Sequence, residues 1–68
     1  MMKIVLNKRP DEFSNEQLTV QELLDMKKFT FKMLIIRING DIVKKTDYNS
    51  SVIHDGDDVM VLHLISGG

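Results

Sequence analysis

Apolar residues recur along this chain with two different periods. Met2, Ile4 and Leu6 alternate with Lys3, Val5 and Asn7, and a period of two predicts a strand. Residues 7–11, Asn-Lys-Arg-Pro-Asp, carry turn chemistry, because proline fixes φ and Asn and Asp bond their own backbone. A short return strand through Glu12 and Phe13 is expected after it. The period then changes. Val20, Leu23 and Leu24 form one helical stripe. Thr19 and Glu22 have the spacing of a capping box, and Leu18 and Leu23 that of a hydrophobic staple. The pattern predicts a helix over residues 20–28, with Lys27 and Lys28 in its last turn, where cations suit the helix dipole. So short a helix is marginal in water and has to be held by packing on a sheet.

Residues 33–39 return to a period of two, with Leu34, Ile36 and Ile38 on one face and Ile35 and Arg37 on the other. Asn39-Gly40 is a strong hairpin signal, since both residues tolerate positive φ, and Asp41-Ile42-Val43 is the returning strand. Residues 44–51 read as a polar loop anchored by Tyr48, and His54-Asp55-Gly56-Asp57 as a turn. Residues 59–65 are apolar on both faces, as in a central strand. The order is β-β-α-β-β-β. With its first and last strands in the middle and one helix crossing one face, this is an α+β arrangement of the β-grasp, or ubiquitin-like, kind: a mixed sheet of four to five strands. Alternation assigns Ile4, Leu6, Leu34, Ile36, Ile38, Val59 and Val61 to the core. It leaves Val5, Met60, Leu62 and Leu64 on the open face, either covered by loops or presented to a partner.

Composition narrows the classes. A chain of 68 residues allows one small domain, which buries about 60% of the surface its unfolded form exposes. We read residues 1–66 as that domain and residues 67–68 as a flexible diglycine tail. Without cysteine there is no disulfide, no thiol nucleophile and no Cys-based zinc site. A net charge of -1 argues against a nucleic-acid partner, and no apolar run approaches the roughly 20 residues of a membrane span. The opening apolar stretch is shorter than the ~7–15 residues of a signal-peptide core, so a cytoplasmic location is expected. So small a chain has little room for an enclosed pocket, which argues against an enzyme.

The candidate chemistry lies at the end of the chain. At a glycine background of about 7%, two terminal glycines arise roughly once in 200 chains. Gly67 and Gly68 carry no side chains, so they can thread a narrow cleft and place the Gly68 carboxylate in another protein's active site. A carboxylate is a poor electrophile until activated, for example as an acyl-adenylate. The chain has no phosphate-binding loop, so ATP would have to be bound by a partner. Asp55-Gly56-Asp57-Asp58 lacks the spacing of a calcium loop and reads as a turn. His54 and His63 have no cysteine beside them and read as ordinary surface or edge groups rather than metal ligands. No Ser-His-Asp or paired-carboxylate spacing stands out.

Over its whole length the chain resembles the sulfur carrier proteins of thiamine (thiazole) biosynthesis, the ThiS family. The resemblance rests on Ile4-Val5-Leu6-Asn7, on Thr19-Val20-Gln21-Glu22-Leu23-Leu24, on Asn39-Gly40-Asp41-Ile42-Val43, and on Asp55-Gly56-Asp57-Asp58-Val59 through Gly67-Gly68. Ser66 stands where the family's tail often has Ala or Gly, a minor departure. The resemblance implies a protein cosubstrate, not an enzyme. An E1-like adenylyltransferase using ATP and Mg would adenylate Gly68. A sulfur-relay enzyme (a cysteine desulfurase or a rhodanese-like protein) would then exchange AMP for sulfur, giving a thiocarboxylate. Thiazole synthase would take that sulfur. The carrier itself is expected to bind no cofactor and to be monomeric when free. Three other readings remain open: the small subunit of molybdopterin synthase, whose relatives resemble longer chains with a proline before the tail; a ubiquitin-like modifier; and a passive β-grasp interaction module.

Overall fold

A computed structural model describes residues 1–30 and 33–63. Strand β1, Met2–Leu6, alternates buried and exposed positions along its whole length. Asn7 and Lys8 both hold left-handed backbone, with φ of 52° and 66°. A two-residue turn of that kind matches the twist of the strands it joins. Strand β2, Arg9–Phe13, therefore begins directly after Lys8, and the turn expected over residues 7–11 is confined to its first two residues. Pro10 lies inside β2, opposite Val5. It is tolerated there because β2 is an edge strand, where a missing N–H leaves no partner unpaired.

Strand β3, Gln17–Thr19, leads into helix α1, Val20–Met26. The capping box is present: the Glu22 N–H donates to Thr19 Oγ1 at 3.1 Å, and the Thr19 N–H donates to Glu22 Oε1 at 2.8 Å. Two more donors of the first turn find loop carbonyls, Val20 N–H on Ser51 and Gln21 N–H on Tyr48, each at 2.9 Å. The helix stops short of the expected residue 28. Lys28 takes left-handed backbone (φ 58°), its N–H donates to the Asp25 carbonyl, and the Phe29 N–H donates to the Leu24 carbonyl. This is a Schellman ending, with lysine where glycine is usual. Lys27 and Lys28 are thus outside the last turn, and Lys27 instead pairs with Asp11 of β2 at 2.8 Å.

Strands β4, Leu34–Ile38, and β5, Asp41–Val43, flank Asn39 and Gly40, which have φ of 52° and 89°. A single 3₁₀ turn at Lys45–Asp47 follows, then β6, Val52–His54, and β7, Asp58–His63. Strands β3 and β6 pair with each other as a small second sheet that the sequence pattern does not announce; His54 closes β6 rather than opening a turn. The main sheet runs β2-β1-β7-β4-β5. Its central strand β7 is parallel to β1 and antiparallel to β4.

The inner face of the sheet packs under α1. Ile4, Leu6, Ile36, Val59 and Val61 are buried there as expected, whereas Leu34 and Ile38 are only half-buried. Met2, Phe13, Leu18, Val20, Leu23, Leu24, Tyr48 and Ile53 complete the core. Leu18 and Ile53 sit opposite each other, so the small β3–β6 sheet closes the core beside α1. A mixed five-stranded sheet embracing one helix is the β-grasp arrangement.

Candidate functional site

With α1 occupying one face of the sheet, the other face has no element over it among the described residues. The period of two puts Val5 of β1 and Met60 and Leu62 of β7 on that outer face. Val5 lies beside Asp58 in the parallel register, two residues before Met60. Val5 is 40% and Leu62 37% exposed, and Met60 is half-buried. Register adds neighbours. Ile35 is opposite Leu62, Arg37 opposite Met60, Ile42 opposite Arg37, and Pro10 opposite Val5. The result is an apolar strip across all five strands, interrupted by two charges, Arg37 opposite Met60 and Asp58 beside Val5. An exposed apolar strip of this kind suits a protein partner better than water.

The strip rests on a braced frame. The Asn7 N–H still donates to the Val59 carbonyl at 2.9 Å, and the Asn7 side chain carries the pairing of β1 with β7 one step further: Asn7 Oδ1 accepts from the Val61 N–H at 2.7 Å. Asn39 ties the β4–β5 turn to the start of β7. Its Oδ1 accepts from the Asp58 N–H at 2.9 Å and its Nδ2 donates to Asp57 Oδ1 at 3.0 Å. The aspartates before β7 are engaged in the turn itself. Asp55 accepts from the Lys3 N–H at 2.7 Å, and Asp57 from the His54 N–H at 2.9 Å. These bonds give Asp55 and Asp57 a turn-fixing role, and among the described residues no group of three or more His, Asp or Glu side chains could hold a metal.

The remaining residues singled out in the sequence, Leu64, Ser66, Gly67 and Gly68, lie outside the described residues. They follow His63, the last described residue of the central strand, with β1 and β4 on either side of it. Sequence reasoning left four of these neighbours off the docking face, Ile35 and Arg37 having been placed only opposite the core positions of their own strand. Ile42 was within reach, because a two-residue Asn39-Gly40 turn fixes it opposite Arg37. Pro10 was not, because a proline argues against the strand that carries it. Among the described residues, no helix is long and apolar enough to cross a membrane.

Comparison with known proteins agrees with this architecture. No curated protein matches the chain. Two solved structures of a thiamine biosynthesis protein (ThiS) from Geobacter metallireducens are similar at 28% identity. The crystal structure superposes with a TM-score of 0.88, over 98% of this chain and 100% of that one. The solution NMR structure gives 0.79, over 98% of this chain and 88% of that one. The model of the ThiS family matches residues 4–68, nearly the whole sequence, and the chain belongs to that family.

Proposed function

We propose that this chain is a sulfur carrier of thiamine biosynthesis, acted on by partner enzymes and not itself a catalyst. The observation that carries the reading is the family match, which runs from residue 4 to residue 68 and so takes in Gly67 and Gly68. The Gly68 carboxylate attacks the α-phosphate of ATP held with Mg by an E1-like adenylyltransferase, forming an acyl-adenylate and releasing pyrophosphate. The persulfide of a sulfur-relay enzyme then attacks the acyl-adenylate and displaces AMP, giving an acyl disulfide; a thiol cleaves its S–S bond, is oxidised to a disulfide, and releases the thiocarboxylate. Thiazole synthase draws on that sulfur for the thiazole ring. ATP-dependent activation fits the cytoplasm.

The chain's own contributions are positional. Val5, Met60 and Leu62, with Leu64 by the sequence pattern, serve as the docking face, and burial of the face against a partner supplies the binding free energy. Ser66, Gly67 and Gly68 are small enough to enter a cleft that a branched side chain would block. Charge developing at the α-phosphate is stabilised by the partner's cations, which this chain does not provide.

The test is intact-mass measurement after incubation with ATP, Mg, the E1-like enzyme and a sulfur donor. The expected product is heavier by the difference between one sulfur and one oxygen. It should support thiazole formation when added to thiazole synthase. A product that instead supports only pterin sulfuration would move the chain to the molybdopterin pathway, and an unchanged mass would return it to a passive module.

A further inference from the structure

We propose that the edge of β5, which among the described residues pairs with no strand other than β4, takes up an extended acidic segment of another protein by strand addition, at a site that meets the outer-face strip only at Ile42 and is independent of the sulfur-carrier reading. The register supplies the first argument. The two-residue Asn39-Gly40 turn makes Ile38 and Asp41 the hydrogen-bonded closing pair. Arg37 and Ile42 are then a non-hydrogen-bonded pair, so the Ile42 N–H and C=O point away from β4, along the open edge of the sheet. Lys44 continues in extended backbone (φ -73°, ψ 150°), which prolongs that edge beyond Val43.

The two edges of the sheet differ. The β2 edge carries Pro10, which removes a donor and discourages pairing. The β5 edge has no proline, and Ile42 is 65% exposed. Beside it lies a groove of about 640 Å³, lined by Leu24, Phe29, Ile42 and Tyr48 with Lys44 and Lys45. In an added strand, the residue opposite Ile42 exchanges two backbone hydrogen bonds with it, and its two neighbours point to the helix side, into the groove. Charge selects the partner. Lys44 and Lys45 have no ion-pair partner among the described residues, so carboxylates just past the apolar positions would meet two free ammonium groups. A second copy of the chain is the poorer occupant. Its own β5 is only three residues long, and antiparallel pairing about Ile42 would set Lys44 and Lys45 opposite Gly40 and Asn39, leaving them without a carboxylate across the strand.

The experiment titrates the ¹⁵N-labelled full chain with a synthetic peptide of two glutamates followed by alternating valine and leucine. The reversed sequence and a version with lysine in place of glutamate are run beside it. The expected result is saturable shifts centred on Ile42, Lys44 and Tyr48, slowed exchange of the Ile42 amide, and weaker binding at high salt. Ile42→Pro removes the outward donor and should abolish binding. The pair Lys44→Glu and Lys45→Glu, both exposed and away from the core, should weaken it about tenfold or more while the thermal melt is unchanged. Shifts centred on Val5, Met60 and Leu62, equal binding of the lysine version, or no saturation at millimolar peptide would each overturn the proposal. So would sedimentation of the free chain as a dimer that Ile42→Pro dissolves, which would assign the edge to a second copy.

Discussion

Asn7, Lys8, Lys28 and Asn39 hold left-handed backbone, a conformation that costs an ordinary residue about 1–2 kcal/mol. The two asparagines recover that cost with side-chain bonds to β7; no such side-chain bond accompanies Lys8 or Lys28. Lys8→Gly and Lys28→Gly should therefore each stabilise the fold. Glycine's greater freedom in the unfolded chain returns ~0.5–1 kcal/mol of the gain, so we expect a net rise of roughly 0.5–1 kcal/mol in urea unfolding. Asn7→Ala should act the other way. It strips the acceptor from the partly buried Val61 N–H, and an unsatisfied donor costs about 1–3 kcal/mol. Urea midpoints of the three variants against the parent chain check both signs; an Asn7→Ala midpoint equal to the parent's would mean that water replaces the Asn7 oxygen freely.

At the scale of elements, the sequence marks beginnings better than ends. The start of α1 is written in Thr19 and Glu22, whose reciprocal bonds have sequence-local donors and acceptors. Its end is hidden because Lys28 occupies the position glycine usually signals, so the helix reads two residues too long. β3 and β6 have three residues each, too few for a period of two to stand out, and their pairing joins residues far apart in the chain. The return strand is expected only through Glu12 and Phe13, and the start of β2 is masked by Pro10, which is compatible with a strand only because tertiary structure puts that strand at an edge. β4, β5 and β7 were legible, since alternation and an Asn-Gly turn are both local. The capping box gives this scale its prediction. Thr19→Ala should cost about 1 kcal/mol, seen as a lower thermal midpoint, and the loss should appear first as faster amide exchange in residues 20–23. Equal exchange there would mean that the loop carbonyls of Tyr48 and Ser51 alone hold the first turn.

For the whole molecule, the sheet divides labour between its two faces, and the division can be tested by separating docking from chemistry. Leu62 faces away from α1, so Leu62→Asp should fold with a thermal midpoint close to the parent's. On the docking reading, its partner complex would bury an unpaired charge, at a cost of several kcal/mol, or more than a hundredfold in affinity for the adenylyltransferase. Deleting Gly68 tests the other half. It leaves the outer face intact but draws the carboxylate back by about 3.5 Å, one extended residue. A displacement of even ~1 Å can cost a hundredfold in rate. The shortened chain should therefore bind the adenylyltransferase as the parent does, yet yield no adenylate in a single-turnover assay read by intact mass. The two variants are expected to fail differently, Leu62→Asp in affinity and the deletion in chemistry. If both lose affinity equally, the tail contributes to docking and the division between face and tail is wrong. Parent-like adenylation by the deletion variant would instead remove Gly68 from the chemistry and leave the outer face with docking alone to explain.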